Sequence, residues 1–201
     1  MTKKILITGA NGQLGHEMRN ALKGNSRFEC IFTDVAELDI CNAEAVKQTI
    51  ADNHIDYIVN CAAYTQVDKA EDNTELCKKI NTDAVENLAR AAADYGARMI
   101  HISTDYVFNG RGYRPYTEDM VPDPQSVYGS TKLEGEKILT DICPESIIIR
   151  TAWLYSPYGN NFVKTMLHLG EEREELSVVA DQIGTPTCAA DLAQAILVIL
   201  Q

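Results

Sequence analysis

Short apolar runs alternate along the chain with longer segments in which apolar residues recur every three or four positions. The runs predict β-strands at 5–7, 28–33, 56–63, 98–103, 146–150 and 176–179. The segments between them predict helices at 14–22, 43–52, 67–93, 126–140, 161–169 and 189–200. Strands and helices that alternate in this way form right-handed β-α-β units. We therefore predict an α/β protein built on a doubly wound parallel sheet with helices on both faces.

Residues at the helix ends support these assignments. Asn42 and Ser126 carry side-chain oxygens suited to the N-caps of the helices that follow them. Gly96 suits the C-cap of the helix before it. The last helix ends on an apolar run, 195–200, with no polar turn or glycine. We expect the chain to be truncated there or a partner to cover this end.

The first predicted strand runs into a glycine loop with the spacing G-x-x-G-x-x-G. Its glycines are Gly9, Gly12 and Gly15, and the next predicted helix begins within it. Gly9 would form the tight turn, Gly12 would leave room for a phosphate, and Gly15 would let the helix pack on the strand. A pyrophosphate could then meet the positive end of the helix. An ordinary glycine-rich β-to-α turn is the alternative.

Two further strand ends carry features of a dinucleotide site. Asp34 ends the second strand, where dinucleotide folds place a carboxylate that accepts hydrogen bonds from the adenosine ribose. The alternative interpretation is that Asp34 is an ordinary loop residue or a helix cap. The third strand ends in the small residues Ala62 and Ala63, which would allow close approach of a ligand at the same sheet edge.

Tyr128 and Lys132 are one helical turn apart and would project from the same face of a helix. A lysine ammonium near a phenol lowers the pKa of the phenol and so makes it a better acid–base catalyst. Ser103 and Thr104 end the fourth strand, so a hydroxyl there could hold a substrate oxygen that Tyr128 protonates. The simpler alternatives are a helix-surface pair for Tyr128 and Lys132 and a turn or cap residue for Thr104.

Composition narrows the choice of partners and compartment. The chain has 201 residues and a net charge of −11, so it lacks the basic footprint of a nucleic-acid-binding protein. None of its six cysteines forms a C-x-x-C pair, which indicates reduced thiols in a cytoplasmic protein. Its apolar runs are too short for a signal peptide or a membrane span, and we expect no membrane partner.

These motifs together resemble the extended, sugar-nucleotide branch of the short-chain dehydrogenase/reductase superfamily. Within that branch the chain is most similar to the dTDP-4-dehydrorhamnose reductase family, and the similarity runs along its whole length. The glycine loop and the Tyr/Lys pair indicate only the superfamily. The more specific blocks are GQLG at 12–15, STDYVF at 103–108 and TAWLY at 151–155, with supporting blocks at 38–40, 60–65, 67–71 and 181–187.

The resemblance implies a reaction and a set of roles. A hydride would pass from a nicotinamide to C4 of a 4-keto-6-deoxy sugar carried on dTDP, and the product would serve rhamnose-containing polysaccharide. Tyr128 would donate the proton, Thr104 would bind the carbonyl oxygen with Ser103, and Lys132 would hold the nicotinamide ribose. Asp105 and Trp153 would line the sugar pocket.

The resemblance also implies the cofactor contacts and the domains. NADPH and NADH both remain open, although the Asp34 carboxylate favours NADH because it repels a 2′-phosphate. The domains would be a dinucleotide-binding Rossmann-like domain at 1–150, and at 151–201 a partial substrate region with a returning strand and helix. The cofactor residues would be Gly9, Asn11, Gly12, Gln13, Leu14, Gly15, Asp34, Asp39, Ile40, Ala62, Ala63, Tyr64, Thr65, Ser103, Tyr128 and Lys132.

The chain departs from the family pattern in two places. The family continues beyond residue 201 with a region that completes the substrate domain, so we expect only part of that domain here. Some relatives bind Mg²⁺ through glutamates at a dimer contact, but His16 follows the last loop glycine, and we predict no metal site. A homodimer remains possible.

Three alternatives of different kinds stay open. In sugar-nucleotide 4,6-dehydratases an Asp-Glu pair follows the strand-four threonine, whereas Tyr106 follows Asp105 here. Another sugar-nucleotide reductase or epimerase would share most of these motifs. A non-catalytic, NADP-binding regulatory subunit, similar to the beta subunit of methionine adenosyltransferase, could keep the same residues. Neighbouring genes for dTDP-rhamnose synthesis would favour the reductase.

Overall fold

A computed structural model describes residues 2–201 and has a five-stranded, fully parallel sheet at its centre. The strand order is β2-β1-β3-β4-β5, which confirms the predicted doubly wound arrangement. The strands are β1 (Lys3–Thr8), β2 (Phe28–Thr33), β3 (Tyr57–Asn60), β4 (Arg98–Thr104) and β5 (Ile147–Thr151). Two short strands, β6 (Leu154–Tyr155) and β7 (Thr187–Cys188), pair in a separate small sheet.

Eight α-helices connect and flank these strands in the described part of the chain. The caps predicted from sequence are present: the side chains of Asn42 and Ser126 accept backbone N–H bonds, and Gly96 closes a helix with φ +73°. The helices are α1 (Gln13–Ala21), α2 (Ala43–Asn53), α3 (Val67–Asp72), α4 (Thr74–Lys78), α5 (Ala84–Tyr95), α6 (Val127–Ile142), α7 (Phe162–Glu172) and α8 (Ala189–Ile199).

Two hydrophobic cores lie on opposite faces of the sheet because successive strand residues point to opposite sides. In β1, Leu6 packs with helices α2 and α5, whereas Ile5 and Ile7 pack with α1 and α8. All three side chains are fully buried, and each such burial contributes roughly 1.5–3 kcal/mol. This sandwich holds the carboxyl ends of the strands at one rigid edge.

The region 67–93 is not the single helix that its periodicity predicts. Its first helix, α3, ends at Asp72, and a π-helical turn at Lys79–Asp83 precedes α5. Asn73 donates its side-chain amide to Lys69 O at 2.9 Å, which competes with continuation of the helix. Within the π turn, the Asn81 carbonyl lies where a side chain at Gly135 would otherwise project. Tight packing of α6 against this segment therefore shapes its backbone.

The strand predicted at 176–179 is wrong, and so is the returning strand expected with it. Val178 and Val179 are 51% and 66% exposed, and neither belongs to a sheet. β-Branched residues favour a strand only where a neighbouring strand and a buried face are available. The returning helix does form: Ile196, Leu197 and Leu200 pack against α1, whereas Val198 and Ile199 of the same apolar end are exposed.

None of the helices in residues 2–201 combines the length and the apolar character needed to cross a membrane.

Candidate active site

The predicted site residues meet at the carboxyl edge of the parallel sheet. The glycine loop follows β1, Asp34 follows β2, Ala62 and Ala63 follow β3, and Thr104 ends β4. Parallel α/β sheets bind ligands at this edge, where the loops after neighbouring strands converge. The topology therefore brings together residues that are far apart in sequence.

The glycine loop is shaped by close backbone contacts. Gly9 has φ +64°, and a Cβ on it would lie 2.6 Å from the backbone nitrogen of Ala62. A Cβ on Gly15 would overlap the backbone of Gly9 and Ala10. Helix α1 follows Gly12, has no side-chain cap and has no acidic residue in its first turn. Such a helix end suits a pyrophosphate because its first N–H groups are free to bind an anion.

Asp34 is tied to the glycine loop. Its Oδ2 accepts a hydrogen bond from the Asn11 backbone N–H at 2.9 Å, and its Oδ1 accepts one from Val35 at 2.9 Å. Beside it lies a cleft of about 240 Å³ whose lining includes five predicted cofactor residues, namely Gly9, Asp34, Asp39, Ile40 and Ala62. The cleft thus lies between the glycine loop and the ends of β2 and β3, where the adenosine end of a dinucleotide was predicted.

The third loop is held by a residue that sequence reasoning missed. Asn81, in the π turn, accepts a bond from the Tyr64 backbone N–H at 2.9 Å and donates to the Tyr64 carbonyl at 3.1 Å. This two-way clamp fixes the strand-like backbone of the segment that also contains Ala63 and Thr65. The signal in the sequence was a polar residue on the apolar stripe of a helical segment, where π turns often mark functional sites.

The side chains of Gln13 and Leu14 point to different surroundings, one to polar groups near the site and the other to the core. The Gln13 side chain accepts a bond from Asn161 Nδ2 at 2.9 Å and reaches the Leu154 carbonyl at 3.4 Å. Leu14 is 4% exposed and belongs to the core. Side-chain contact with a cofactor is therefore open only to Gln13, and Leu14 could contribute only its backbone.

Thr104, Asp105 and Tyr128 form one cluster at the end of β4. Thr104 Oγ1 donates to Asp105 Oδ1 at 3.1 Å and accepts from the Tyr106 backbone N–H at 3.2 Å. Burial raises the pKa of Tyr128 to about 12, although a hydrogen bond with the Thr104 side chain lowers it. Burial also raises the pKa of the Asp105 carboxyl. The Tyr128 ring packs edge-on against Tyr106, two residues after Thr104, with ring centroids 5.5 Å apart, so Tyr128 and Thr104 lie near each other at the end of β4.

Lys132 lies deeper than the sequence suggests. It is 1% exposed, and its Nζ donates to the Ile102 carbonyl at 2.7 Å and lies 3.2 Å from His101 Nε2. Burial lowers the pKa of Lys132 to about 8. The expected lowering of the Tyr128 pKa by Lys132 is not seen, since burial dominates at the phenol.

The remaining predicted residues flank the cluster. Ser103 is buried, and its Oγ has no hydrogen-bond partner within residues 2–201. Trp153 has φ +49°, is 41% exposed and lies 6.2 Å from the Phe162 ring, centroid to centroid. Trp153 follows Thr151, which pairs with Thr104 on the neighbouring strand, so its half-exposed indole lies on the chain that leaves the same sheet edge.

Three buried polar residues behind the site were not predicted as functional. Thr8 Oγ1 donates to Asn60 Oδ1 at 2.6 Å, and Asn60 Nδ2 lies 3.0 Å from His101 Nδ1. His101 in turn contacts Lys132, so a chain of polar side chains crosses β1, β3, β4 and α6. Polar residues inside otherwise apolar strands were the available signal in the sequence.

Comparison with known proteins agrees with this geometry. A protein-family model described as the RmlD substrate binding domain matches residues 3–201. The dTDP-4-dehydrorhamnose reductase of Aggregatibacter actinomycetemcomitans is 44% identical over 198 residues, which are 98% of this chain and 67% of that protein. The reductase of the same name from Escherichia coli K12 is 48% identical over 193 residues, 94% of this chain and 64% of that protein.

The fold comparison gives the same relationship. A crystal structure of dTDP-4-dehydrorhamnose reductase from Bacillus anthracis, in complex with NADP, superposes with a TM-score of 0.96 at 44% identity. The match covers all of this chain and 71% of that one. The chain therefore spans about two thirds of the length of the relatives it matches.

Proposed function

This chain belongs to the dTDP-4-dehydrorhamnose reductase (RmlD) family, and on that basis we propose that it reduces the 4-keto group of dTDP-4-dehydrorhamnose to give dTDP-L-rhamnose. NADPH or NADH would supply the hydride. The observation that carries the proposal is that buried Thr104 ends β4, on the same sheet edge as the glycine loop, and that buried Tyr128 packs against the next turn of chain through Tyr106. This arrangement is what carbonyl reduction needs.

Tyr128 would act as the proton donor. Its phenol stays protonated because burial raises its pKa to about 12, so the proton is available at neutral pH. Thr104 would turn its hydroxyl proton from Asp105 Oδ1 to the carbonyl oxygen and place that oxygen against the Tyr128 hydroxyl. The phenol is a weak acid in this setting, and a nearby cation is needed to stabilise the phenolate as the proton leaves. Lys132, one turn along α6, is the cation that would do so.

The dinucleotide would occupy the glycine loop and the adjoining cleft. The space a Cβ on Gly9 would fill is taken by the backbone of Ala62, so the two loops form one continuous surface. The free start of α1 would hold the pyrophosphate, Asp34, Asp39 and Ile40 would border the adenosine, and Lys132 would approach the nicotinamide ribose. Asp105 and Trp153 would contact the sugar of the substrate.

A turnover assay tests the proposal. The protein is mixed with dTDP-4-dehydrorhamnose and either NADPH or NADH, and the loss of reduced cofactor and the formation of dTDP-L-rhamnose are measured. dTDP-glucose, which has no 4-keto group, is the matched control and should not be consumed. In a protein that carries the complete substrate domain, dinucleotide binding without turnover of the keto sugar would contradict the reductase and favour the non-catalytic, NADP-binding subunit.

Replacement of Asp34 by alanine tests how the site distinguishes the two cofactors. If the carboxylate bonds the adenosine ribose and repels a 2′-phosphate, Asp34→Ala should weaken NADH binding by roughly tenfold and NADPH binding by much less. The measurement is the dissociation constant of each cofactor. Equal loss for both would mean that Asp34 serves only the Asn11 backbone bond that it makes to the glycine loop.

A further inference from the structure

The orientation of the Asn60 amide determines which nitrogen of His101 carries a proton. Asn60 Oδ1 accepts two hydrogen bonds, from Thr8 Oγ1 at 2.6 Å and from the Ala62 backbone N–H at 3.2 Å. The Asn60 NH₂ group must therefore face His101 Nδ1, which lies 3.0 Å away and accepts. A neutral imidazole has one N–H, so in His101 it is at Nε2.

The imidazole of His101 is held neutral by its surroundings. Its side chain has no solvent exposure, and burial keeps the pKa of His101 well below its ordinary value. The Nε2–H of His101 therefore points at Lys132 Nζ, 3.2 Å away. His101 offers this lysine a donor and not an acceptor.

Only the neutral amine of Lys132 can complete this set of bonds. An amine donates to the Ile102 carbonyl, at 2.7 Å, and accepts the Nε2–H of His101 with its lone pair. An ammonium has no lone pair, so the same contact would set one donor against another. To bond the ammonium, His101 would have to move its proton to Nδ1 and lose the bond from Asn60.

The surroundings of Lys132 shift its pKa in opposite directions. Burial lowers the pKa of Lys132 to about 8, while Glu136 on the same helix and Cys77 on α4 raise it. Glu136 is itself paired with Arg150 of β5 at 2.6 Å, which limits its effect on Lys132. On β4, His101 is the titratable group in contact with Lys132 Nζ.

We propose that His101 is a positioning residue whose tautomer is coupled to the charge of Lys132. As an amine, Lys132 is held against His101 and Ile102; once it takes a proton from solvent, His101 must release either Lys132 or Asn60. Release of the ammonium would let it donate to the ribose hydroxyls of a bound dinucleotide and stabilise the Tyr128 phenolate. That consequence for turnover rests on the proposed function, whereas the coupling itself does not.

Nuclear magnetic resonance of the unsubstituted protein tests the coupling directly. Histidine labelled with ¹⁵N reports the tautomer of His101, and lysine labelled with ¹³C and ¹⁵N reports the titration of Lys132. Above the Lys132 midpoint we expect Nε2 protonated and Nδ1 bare, with the ring shifts changing at the same midpoint as Lys132. An Nδ1–H tautomer above that midpoint, or ring shifts that stay constant through it, would overturn the proposal.

Two substitutions test whether His101 lowers the titration midpoint of Lys132. In His101→Gln the terminal carbonyl can accept from both the Asn60 amide and the ammonium, so no donor faces Lys132 and its midpoint should rise by about one pH unit. His101→Asn keeps an acceptor for Asn60 but places no donor against Lys132, and it should shift the midpoint in the same direction. The resonance of Lys137, exposed on the same helix, is the internal reference.

The outcomes separate this proposal from the proposed function. An unchanged or lowered Lys132 midpoint in both folded variants contradicts the coupling, whatever the turnover. If the midpoint rises, the pH profile of kcat should rise with it while KM for the dTDP-sugar changes little. A shifted midpoint in a protein that never reduces the keto sugar would leave the coupling intact and refute the reductase.

Discussion

Tyr128→Phe should lower the turnover of dTDP-4-dehydrorhamnose by about 10²–10⁴-fold, the usual contribution of a positioned proton donor. The change removes one oxygen atom and keeps the ring that packs with Ala70 and Cys77. Dinucleotide affinity should therefore change little, because the glycine loop and the adenosine cleft are untouched. The measurements are kcat with the keto sugar and the dissociation constant of NADPH.

Tyr57→Phe is the matched control for this prediction. Tyr57 is also partly buried, but it begins β3 and so lies at the opposite edge of the sheet from Thr104. Loss of its hydroxyl should leave kcat within about twofold of the unsubstituted protein. If Tyr128→Phe kept full turnover, another group would have to supply the proton, and the role proposed for Tyr128 would be refuted.

Gly9→Ala should both destabilise the protein and abolish tight dinucleotide binding. The position combines φ +64° with a Cβ that would lie 2.6 Å from Ala62 N and 2.7 Å from Ala62 Cα. The left-handed backbone costs about 1–2 kcal/mol and the overlap with rigid backbone about 1–3 kcal/mol more. We expect a loss of roughly 3 kcal/mol in the free energy of unfolding, measured by denaturant titration.

Gly24→Ala separates the cost of the left-handed backbone from the cost of the overlap with Ala62. Gly24 has a similar φ, +76°, but a Cβ there meets no atom within 4 Å. This variant should lose only about 1 kcal/mol and should bind NADPH normally, since only the backbone conformation is penalised. Equal losses in the two variants would mean that the Gly9–Ala62 approach contributes nothing, and that the two loops are not held together as one surface.

Local patterns in the sequence were sufficient to predict the strands of the sheet and the helices that flank it. The apolar run in β1 and the caps at Asn42, Ser126 and Gly96 act over a few residues, so they can be recognised without a structure. The glycine loop and the Tyr/Lys spacing are local too. The roles of Thr104, Tyr128 and Lys132 remain predictions that the turnover experiments decide.

Features that depend on contacts between distant residues were not predictable in the same way. The helical periodicity of 67–93 hides a π turn because the shape of that segment is set by its packing against α6. The apolar run at 176–179 looks like a strand, yet no neighbouring strand is placed to pair with it. Pairing partners and packing neighbours are properties of the whole fold.

The same distinction explains Lys132. Its sequence spacing from Tyr128 indicated a pair on one helical face, and by itself the sequence was enough to predict the α/β fold, the glycine loop and the family. Only the tertiary structure decided that Lys132 is buried against His101, which lies on a strand 31 residues earlier. Burial lowers the pKa of this lysine, and the polar chain from Thr8 through Asn60 and His101 ends on it; both arise only when four separate elements pack together.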